Sequence, residues 1–207
     1  LAPYFREYLR QVLTAKEPKP NHYSEWNMQQ YEIDKRQWEE NPLYGFCNKN
    51  HKPDGTPYDL YNDGLRIYTT IDTRMQQYAE EAVSEHIQDL QKSFFREKRK
   101  KSYAPFSKDL TPEEIDGIMN RSMRQTDRYR ALKKQGMSET DIKKVFNTPV
   151  NMHVFSYNGM IDTTMTPMDS IRWNKHFLRC GFMSMDVHSG AVKAYVGGPN
   201  FTHFQYD

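Results

Sequence analysis

The chain has 207 residues, a formal net charge of +2 and two cysteines. This length suffices for one or two domains with a real hydrophobic core, and the balanced charge argues against a dedicated nucleic-acid binder. No apolar run approaches the roughly 18 residues that a membrane span needs.

Methionine and aromatic residues supply much of the apolar surface, with 11 Met, 14 Tyr and 3 Trp. We therefore predict a core rich in these residue types. Cys47 and Cys180 lie far apart in sequence, without a Cys-x-x-Cys pattern or a His pair at metal-ligand spacing. Free, partly buried thiols are favoured over a disulfide, and no metal or cofactor site is predicted.

The two ends suggest an internal segment of a longer protein. Leu1-Ala2-Pro3 does not resemble a natural start, and the chain stops soon after a Gly-Gly-Pro turn. A missing targeting signal therefore says nothing about location. Apolar residues at helical spacing predict a helix over 3–13, and we assign 1–15 to a connector or to the end of a preceding domain.

The next segment, 16–61, is polar, turn-rich and aromatic, and we interpret it as an insertion packed by its aromatic side chains. Ser24 is predicted to cap a helix that runs to about residue 40, with Trp26 and Trp38 as its anchors. Eight aromatic residues in this first third of the chain also permit a sugar-stacking platform, although packing is the favoured interpretation: Tyr4, Tyr8, Trp26, Tyr31, Trp38, Tyr44, Tyr58 and Tyr61.

Alternation of β-branched and aromatic residues predicts a strand over 65–71. Asp72 or Thr73 then caps a long amphipathic helix that runs to about Phe94. Its predicted buried face holds Met75, Tyr78, Ala79, Ala82, Val83, Ile87, Leu90 and Phe94, and its predicted exposed face holds Glu80, Glu81, Glu85 and Gln88.

A basic run, Arg96 to Lys101, follows the long helix. Such a run can touch phosphate or an anionic membrane, but a solvated helix end is the favoured interpretation. Thr111-Pro112-Glu113-Glu114 is a helix start with a cap and first-turn acids, and two or three short helices are expected over 112–147. Ser138 is predicted to begin the last of these helices. The region 62–149 thus comprises the predicted strand, the long helix and a helical cluster.

The last region, 150–207, is predicted to fold as hairpin, helix and hairpin. Asn158-Gly159 joins two strand-like runs, Thr166 opens a helix, and the Ser189-Gly190 turn joins the runs 181–187 and 191–196. The whole order predicts an α+β fold, in which a long amphipathic helix and helical insertions pack on short antiparallel hairpins.

The sequence contains no phosphate-binding glycine loop, nucleophile elbow or metalloprotease motif. His153 and His188 are scattered rather than paired, and three aspartates have structural explanations. Asp162 is expected to be exposed on a strand, Asp169 to lie in a helix first turn, and Asp186 to fix the turn that follows it. No catalytic, cofactor-binding or metal-binding residue is therefore assigned.

Three segments, in order, resemble class A penicillin-binding proteins. Ala2 to Arg10 resembles the segment that leaves their glycosyltransferase domain. Gly64 to Asp72, with the helix that carries Gln76-Gln77 and Ala79 to Val83, resembles their inter-domain linker. Met185-Asp186 with Ser189 to Gly198 resembles the first hairpin of their transpeptidase domain.

The resemblance implies a bifunctional, membrane-anchored peptidoglycan synthase that acts on the periplasmic side of the inner membrane. The prediction that this chain is not itself an enzyme rests on the absence of three family motifs, Ser-x-x-Lys, Ser-x-Asn and Lys-Thr-Gly. The implied partners are the rest of the parent chain, and peptidoglycan or envelope proteins. The C-terminal hairpin, apolar on both faces, predicts weak self-association. The alternative is a stand-alone carbohydrate- or protein-binding module of the cell envelope.

Overall fold

The computed structural model describes residues 1–204, and within them the predicted α+β class is confirmed. The helices are α1 (Pro3–Leu13), α2 (Met28–Glu40), α3 (Phe46–Lys49), α4 (Thr73–Lys98), α5 (Pro112–Gln125), α6 (Asp127–Lys134), α7 (Glu139–Phe146) and α8 (Pro167–Asn174). The strands are β1 (Val150–Val154), β2 (Ile161–Met165), β3 (Phe182–Met185) and β4 (Val192–Val196). Among the described residues, none of the helices is both long and apolar enough to cross a membrane.

The strands form two separate antiparallel hairpins, as predicted. In β1–β2, Val150 pairs with Met165 and His153 pairs with Asp162. In β3–β4, Phe182 pairs with Val196, and the register shifts between Ser184 and Met185. Each connecting turn contains a glycine at positive φ, a conformation that side chains with a Cβ disfavour.

The chain divides into two compact units. Unit 1 consists of residues 1–81 together with the segment that starts at Gly181, and unit 2 consists of residues 82–180. Helix α4 contributes its first turns to unit 1 and the rest of its length to unit 2.

Unit 1 joins the start of the chain to its C-terminal segment through Tyr4. The Tyr4 hydroxyl donates a hydrogen bond of 2.5 Å to the Phe204 carbonyl, and the ring meets Phe201 edge-on at 5.0 Å. A Cβ added to Gly198 would lie 2.3 Å from the Tyr4 hydroxyl oxygen. This close approach therefore requires a glycine.

Unit 2 is centred on Met123, Ile142 and Phe146, which are almost completely buried. The side chains that pack against this core are Tyr129, Leu132, Met137, Met168 and Ile171. An aromatic cluster lies beside α8, where Phe95 stacks on Trp173 at 5.8 Å. The predicted dependence on methionine and aromatic packing is thus confirmed for this unit.

The predicted helix starts in unit 2 are confirmed by their capping bonds. Thr111 and Glu114 form a capping box at α5, with bonds of 3.2 Å and 2.8 Å. Ser138 and Thr166 accept hydrogen bonds from backbone N–H groups in the first turns of α7 and α8. These side chains satisfy donors that a helix N-terminus leaves unpaired.

The strand predicted over 65–71 does not form. Residues 65–72 have no regular structure, and the segment reaches β4 through only two hydrogen bonds. The Thr70 hydroxyl donates to the Val192 carbonyl, and the Asp72 N–H donates to the Lys193 carbonyl. The alternation of residue types at 65–71 was not sufficient to predict a strand, because a strand also needs a continuous backbone partner.

The long helix is confirmed and is the longest in the described chain, but its predicted buried face is correct only in part, since Ala79 and Ile87 are buried whereas four other members of that face are exposed. Met75, Tyr78 and Leu90 are exposed by 40%, 66% and 43%. The buried positions are Gln76, Ala79, Ile87 and Gln91. The buried face is thus rotated by about one residue, since two glutamines find backbone partners inside.

The helix predicted from Ser24 is only partly correct. A short 3-10 turn occupies 25–27 before α2 begins, and the Ser24 side chain makes no capping bond. Trp26 is not an anchor, because it is 87% exposed. Trp38 does pack, lying beneath the Lys49 ammonium at 4.8 Å from its ring centre.

Candidate functional sites

Two buried glutamines are the contacts that the sequence analysis missed. The Gln76 amide donates to the Tyr195 carbonyl at 2.9 Å and accepts from the Tyr195 N–H at 2.7 Å. It also donates to Glu80, whose carboxylate accepts a 2.6 Å bond from the Ala2 N–H. Gln76 therefore ties α4 to β4 within unit 1. Glu80, predicted to face solvent, belongs to the same network.

Gln91 makes the corresponding arrangement within unit 2. Its amide donates to the His176 carbonyl at 2.9 Å and accepts from the Leu178 N–H at 2.8 Å. A side-chain amide has the same donor and acceptor pair as a peptide group. Gln76 thus pairs with the backbone of β4, and Gln91 pairs with the irregular backbone after α8. Each side chain makes the two hydrogen bonds that a neighbouring strand would otherwise make. The sequence signal that could have predicted these contacts is a polar residue that falls, at helical spacing, within an apolar helix face.

Unit 2 carries a cleft of about 510 Å³ between the end of α5 and α8. Its polar lining residues are Ser122, Gln125, Thr126, Ser170, Asn174, Lys175 and Arg179, and its apolar ones are Ile171 and Phe177. None of these residues is acidic. The cleft therefore combines positive charge, neutral hydrogen-bonding groups and a small apolar wall.

The electrostatics of this cleft centre on Lys175. Partial desolvation lowers the pKa of its ammonium, and the nearby Arg179 cation lowers it further. Lys175 is nevertheless an exposed residue, so it is a charged group at the rim.

Desolvation also raises the pKa of the Cys180 thiol. A protonated thiol is a poor nucleophile, so Cys180 is not activated.

Unit 1 carries a groove of about 450 Å³ along α1. Its walls include Leu9, Leu13 and Ile67, and Arg10 and Glu7 lie at its polar side. Arg10 and Glu7 form an ion pair of 2.5 Å. Hydrogen bonds from Arg10 and then Gln11 lower the pKa of Glu7 to about 2. Two of the charges of this groove, those of Glu7 and Arg10, are thus paired with each other.

The aromatic residues of the first third divide into two groups. Five of them are partly or fully buried, which supports the packing interpretation: Tyr4, Tyr31, Trp38, Tyr44 and Tyr58. Tyr8, Trp26 and Tyr61 are exposed by 57%, 87% and 75%. Packing does not explain these three side chains.

The three aspartates singled out from sequence have the predicted structural roles. Asp186 accepts bonds from the His188 and Ser189 N–H groups and from the Ser189 hydroxyl. These bonds lower its pKa. Asp169 lies in the first turn of α8. Asp162 is exposed on β2 and contacts His153 across the hairpin.

One of the three family motifs predicted to be absent does occur, because Ser156-Tyr157-Asn158 has the form Ser-x-Asn. The Ser156 hydroxyl donates to the Gly159 carbonyl at 2.7 Å and accepts from the Asn158 N–H at 3.2 Å. These bonds stabilise the turn of the β1–β2 hairpin. No Ser-x-x-Lys and no Lys-Thr-Gly occurs in the sequence. Within the described chain, no group of three or more His, Cys, Asp or Glu could hold a metal.

Residues 101–178 match the protein family described as the penicillin-binding protein middle domain. The match covers α5 to α8 and the first hairpin. It supports a penicillin-binding protein origin and a place in the cell envelope. A middle domain of this kind is a non-catalytic, linker-type domain. Comparison with curated proteins gave no match, and comparison with solved structures gave none either.

Proposed function

We propose that this chain is the non-catalytic linker and the start of the transpeptidase region of a bifunctional, class A penicillin-binding protein. The match over residues 101–178 carries the proposal. The linker-like segment at 64–72 and the hairpin at 185–198 support it, because they resemble that class and flank the matched region in the family's order.

Its role would be to space and orient a glycosyltransferase domain and a transpeptidase domain on the periplasmic side of the inner membrane. Capped helices and buried glutamine contacts suit such a role, because they fix backbone geometry without supplying an activated nucleophile. The partners would be the remaining domains of the parent chain.

Labelling with a fluorescent penicillin tests the lack of catalysis. Acylation requires a serine oxygen to attack the lactam carbonyl while a base takes the hydroxyl proton. No serine here has a lysine three residues later, and the Ser156 hydroxyl bonds to the Gly159 carbonyl. We expect no covalent label on the 207-residue chain.

The control is the full-length product of the gene that encodes this segment, which the proposal expects to be labelled under the same conditions. An adduct on any serine of the 207-residue chain, located by mass spectrometry, would overturn the non-catalytic assignment. An unlabelled full-length product would overturn the transpeptidase assignment.

The exposure of Trp26 and Tyr61 favours a second candidate function, a carbohydrate-binding module. Exposed aromatic rings provide stacking surfaces. If this function is correct, purified peptidoglycan should pull the chain down, and Trp26→Ala with Tyr61→Ala should abolish retention. Tyr78→Ala, at a tyrosine of comparable exposure on α4, is the matched control. Retention unaffected by the first pair of changes would reject this candidate.

A further inference from the structure

The C-terminal end of α4 carries the strongest local charge in the molecule. Residues 96–101 contain five cations and one carboxylate, although the whole chain has a net charge of only +2. The helix ends at Lys98, so Arg99, Lys100 and Lys101 lie beyond it. Their charges are therefore not all distributed along one solvated helix face.

The ion pairs leave most of this charge uncompensated. Glu97 pairs with Lys98 at 3.4 Å, and Arg96 donates to the Ser93 hydroxyl at 3.2 Å. Within the described residues, the three cations at 99–101 form no ion pair, and all three are exposed. Three adjacent unpaired cations repel one another and attract any anionic surface.

An aromatic ring contacts the basic run at Lys98, and another cation–aromatic pair involves Phe106, a few residues further along the chain. The Lys98 ammonium is 5.9 Å from the centre of the Tyr103 ring. The Arg172 guanidinium is 5.4 Å from the centre of the Phe106 ring. Both rings are half-buried. Cations adjoining partly exposed aromatic rings are typical of a membrane–water interface, where each side chain has one apolar and one hydrated part.

We propose that this basic surface, formed by Arg96, Lys98, Arg99, Lys100 and Lys101 with Tyr103, binds the anionic phosphate headgroups of a lipid bilayer. The cations at 99–101 follow one another along an exposed segment. This arrangement fits an extended surface of many phosphates better than a single bound phosphate. The proposal goes beyond the linker function, because lipid binding requires neither flanking domain.

Sedimentation with lipid vesicles tests this proposal on the 207-residue chain. We expect co-sedimentation with vesicles that contain phosphatidylglycerol and little with phosphatidylcholine alone, and we expect added salt to weaken binding. Lys100→Glu with Lys101→Glu should lower the partition coefficient about tenfold or more. Circular dichroism verifies that the variant remains folded.

The matched control is Lys133→Glu with Lys134→Glu, which changes the net charge equally at two exposed lysines of α6. This control should partition within about twofold of the unaltered chain, as expected for a change outside the contact surface. Equal losses in both variants would show that net charge, not the basic surface, determines binding.

Competitors distinguish the other sources of negative charge. Inorganic phosphate should displace the chain no better than chloride at the same ionic strength, and stronger displacement would indicate a site for free phosphate. Tighter binding to a short DNA duplex than to the anionic vesicles would identify a nucleic-acid surface. Either of these results would overturn the proposal, as would equal binding to neutral and anionic vesicles.

Discussion

At the scale of single residues, the two buried glutamines of α4 do what a neighbouring strand would otherwise do. Gln76 completes the hydrogen bonding of Tyr195, and Gln91 pairs with the backbone on either side of Phe177. Composition and periodicity identify apolar faces but not such amide contacts, because the partners lie more than 80 residues away in sequence. The site predictions that did succeed, such as Asp186, concern bonds to neighbouring residues.

Gln76→Ala should destabilise unit 1 by about 2–3 kcal/mol, because it leaves the Tyr195 N–H and carbonyl without their partner. Urea unfolding followed by tryptophan fluorescence measures the change. Gln77→Ala is the control, since that side chain is exposed and bonds only to Glu81. We expect it to cost less than about 0.5 kcal/mol. Equal effects of the two substitutions would contradict a special role for Gln76.

Glu7 should titrate with a pKa of about 2, well below its ordinary value of 4.5. Because the folded pKa is depressed, the stabilisation from its carboxylate is present above pH 4.5 and is lost as the pH falls towards 2. The carboxyl chemical shift, followed by NMR, measures this. Arg10→Met removes the main partner and should return the midpoint towards 4.5. An unchanged midpoint in that variant would reject the ion pair as the cause.

At the scale of elements, the sequence correctly predicted those helices and hairpins whose ends are determined by interactions between neighbouring residues. The capped helix starts at Thr111, Ser138 and Thr166 and both hairpins were predicted, because side-chain caps and glycine turns are short-range features. The segment 65–71 has the composition of a strand but lacks a continuous partner, so it remains irregular. The rotation of the α4 face has the same origin, since distant backbone groups select which side is buried.

A pair of substitutions on α4 tests that rotation. Ile87 is 3% exposed and Leu90 is 43% exposed. Ile87→Asp should cost more than about 3 kcal/mol, because it places a charge in an apolar interior. Leu90→Asp should cost less than about 1 kcal/mol. Thermal unfolding monitored by circular dichroism compares the two variants. The face predicted from periodicity contains both residues, so a loss for Leu90→Asp as large as that for Ile87→Asp would restore it.

At the scale of the whole molecule, the second hairpin exposes several apolar side chains that lie close together in sequence. Phe182, Met183 and Met185 are exposed by 46%, 54% and 51%, so the predicted exposed apolar face is confirmed. Within the described residues, β3 pairs only with β4. Its outer edge therefore presents unpaired backbone groups beside apolar side chains, a combination that favours pairing between molecules.

The predicted self-association should appear as a concentration-dependent dimer in sedimentation velocity. Met183→Lys should weaken it by at least about tenfold, because a charge on an exposed edge strand disfavours pairing. Met160→Lys, at an equally exposed methionine near the first hairpin, should leave it unchanged. A monomer at every concentration, or equal effects of both substitutions, would show that the hairpin edge is not an association surface.

The bond between the Tyr4 hydroxyl and the Phe204 carbonyl also constrains the order of events during translation. It joins residues 200 positions apart, and unit 1 is assembled from both sides of the continuous unit 2. Residues 82–180 leave the ribosome before β3 and β4 do. Unit 2 can therefore fold while the chain is still growing, whereas unit 1 must wait for its second segment. Pulse proteolysis of stalled nascent chains should find unit 2 protected first.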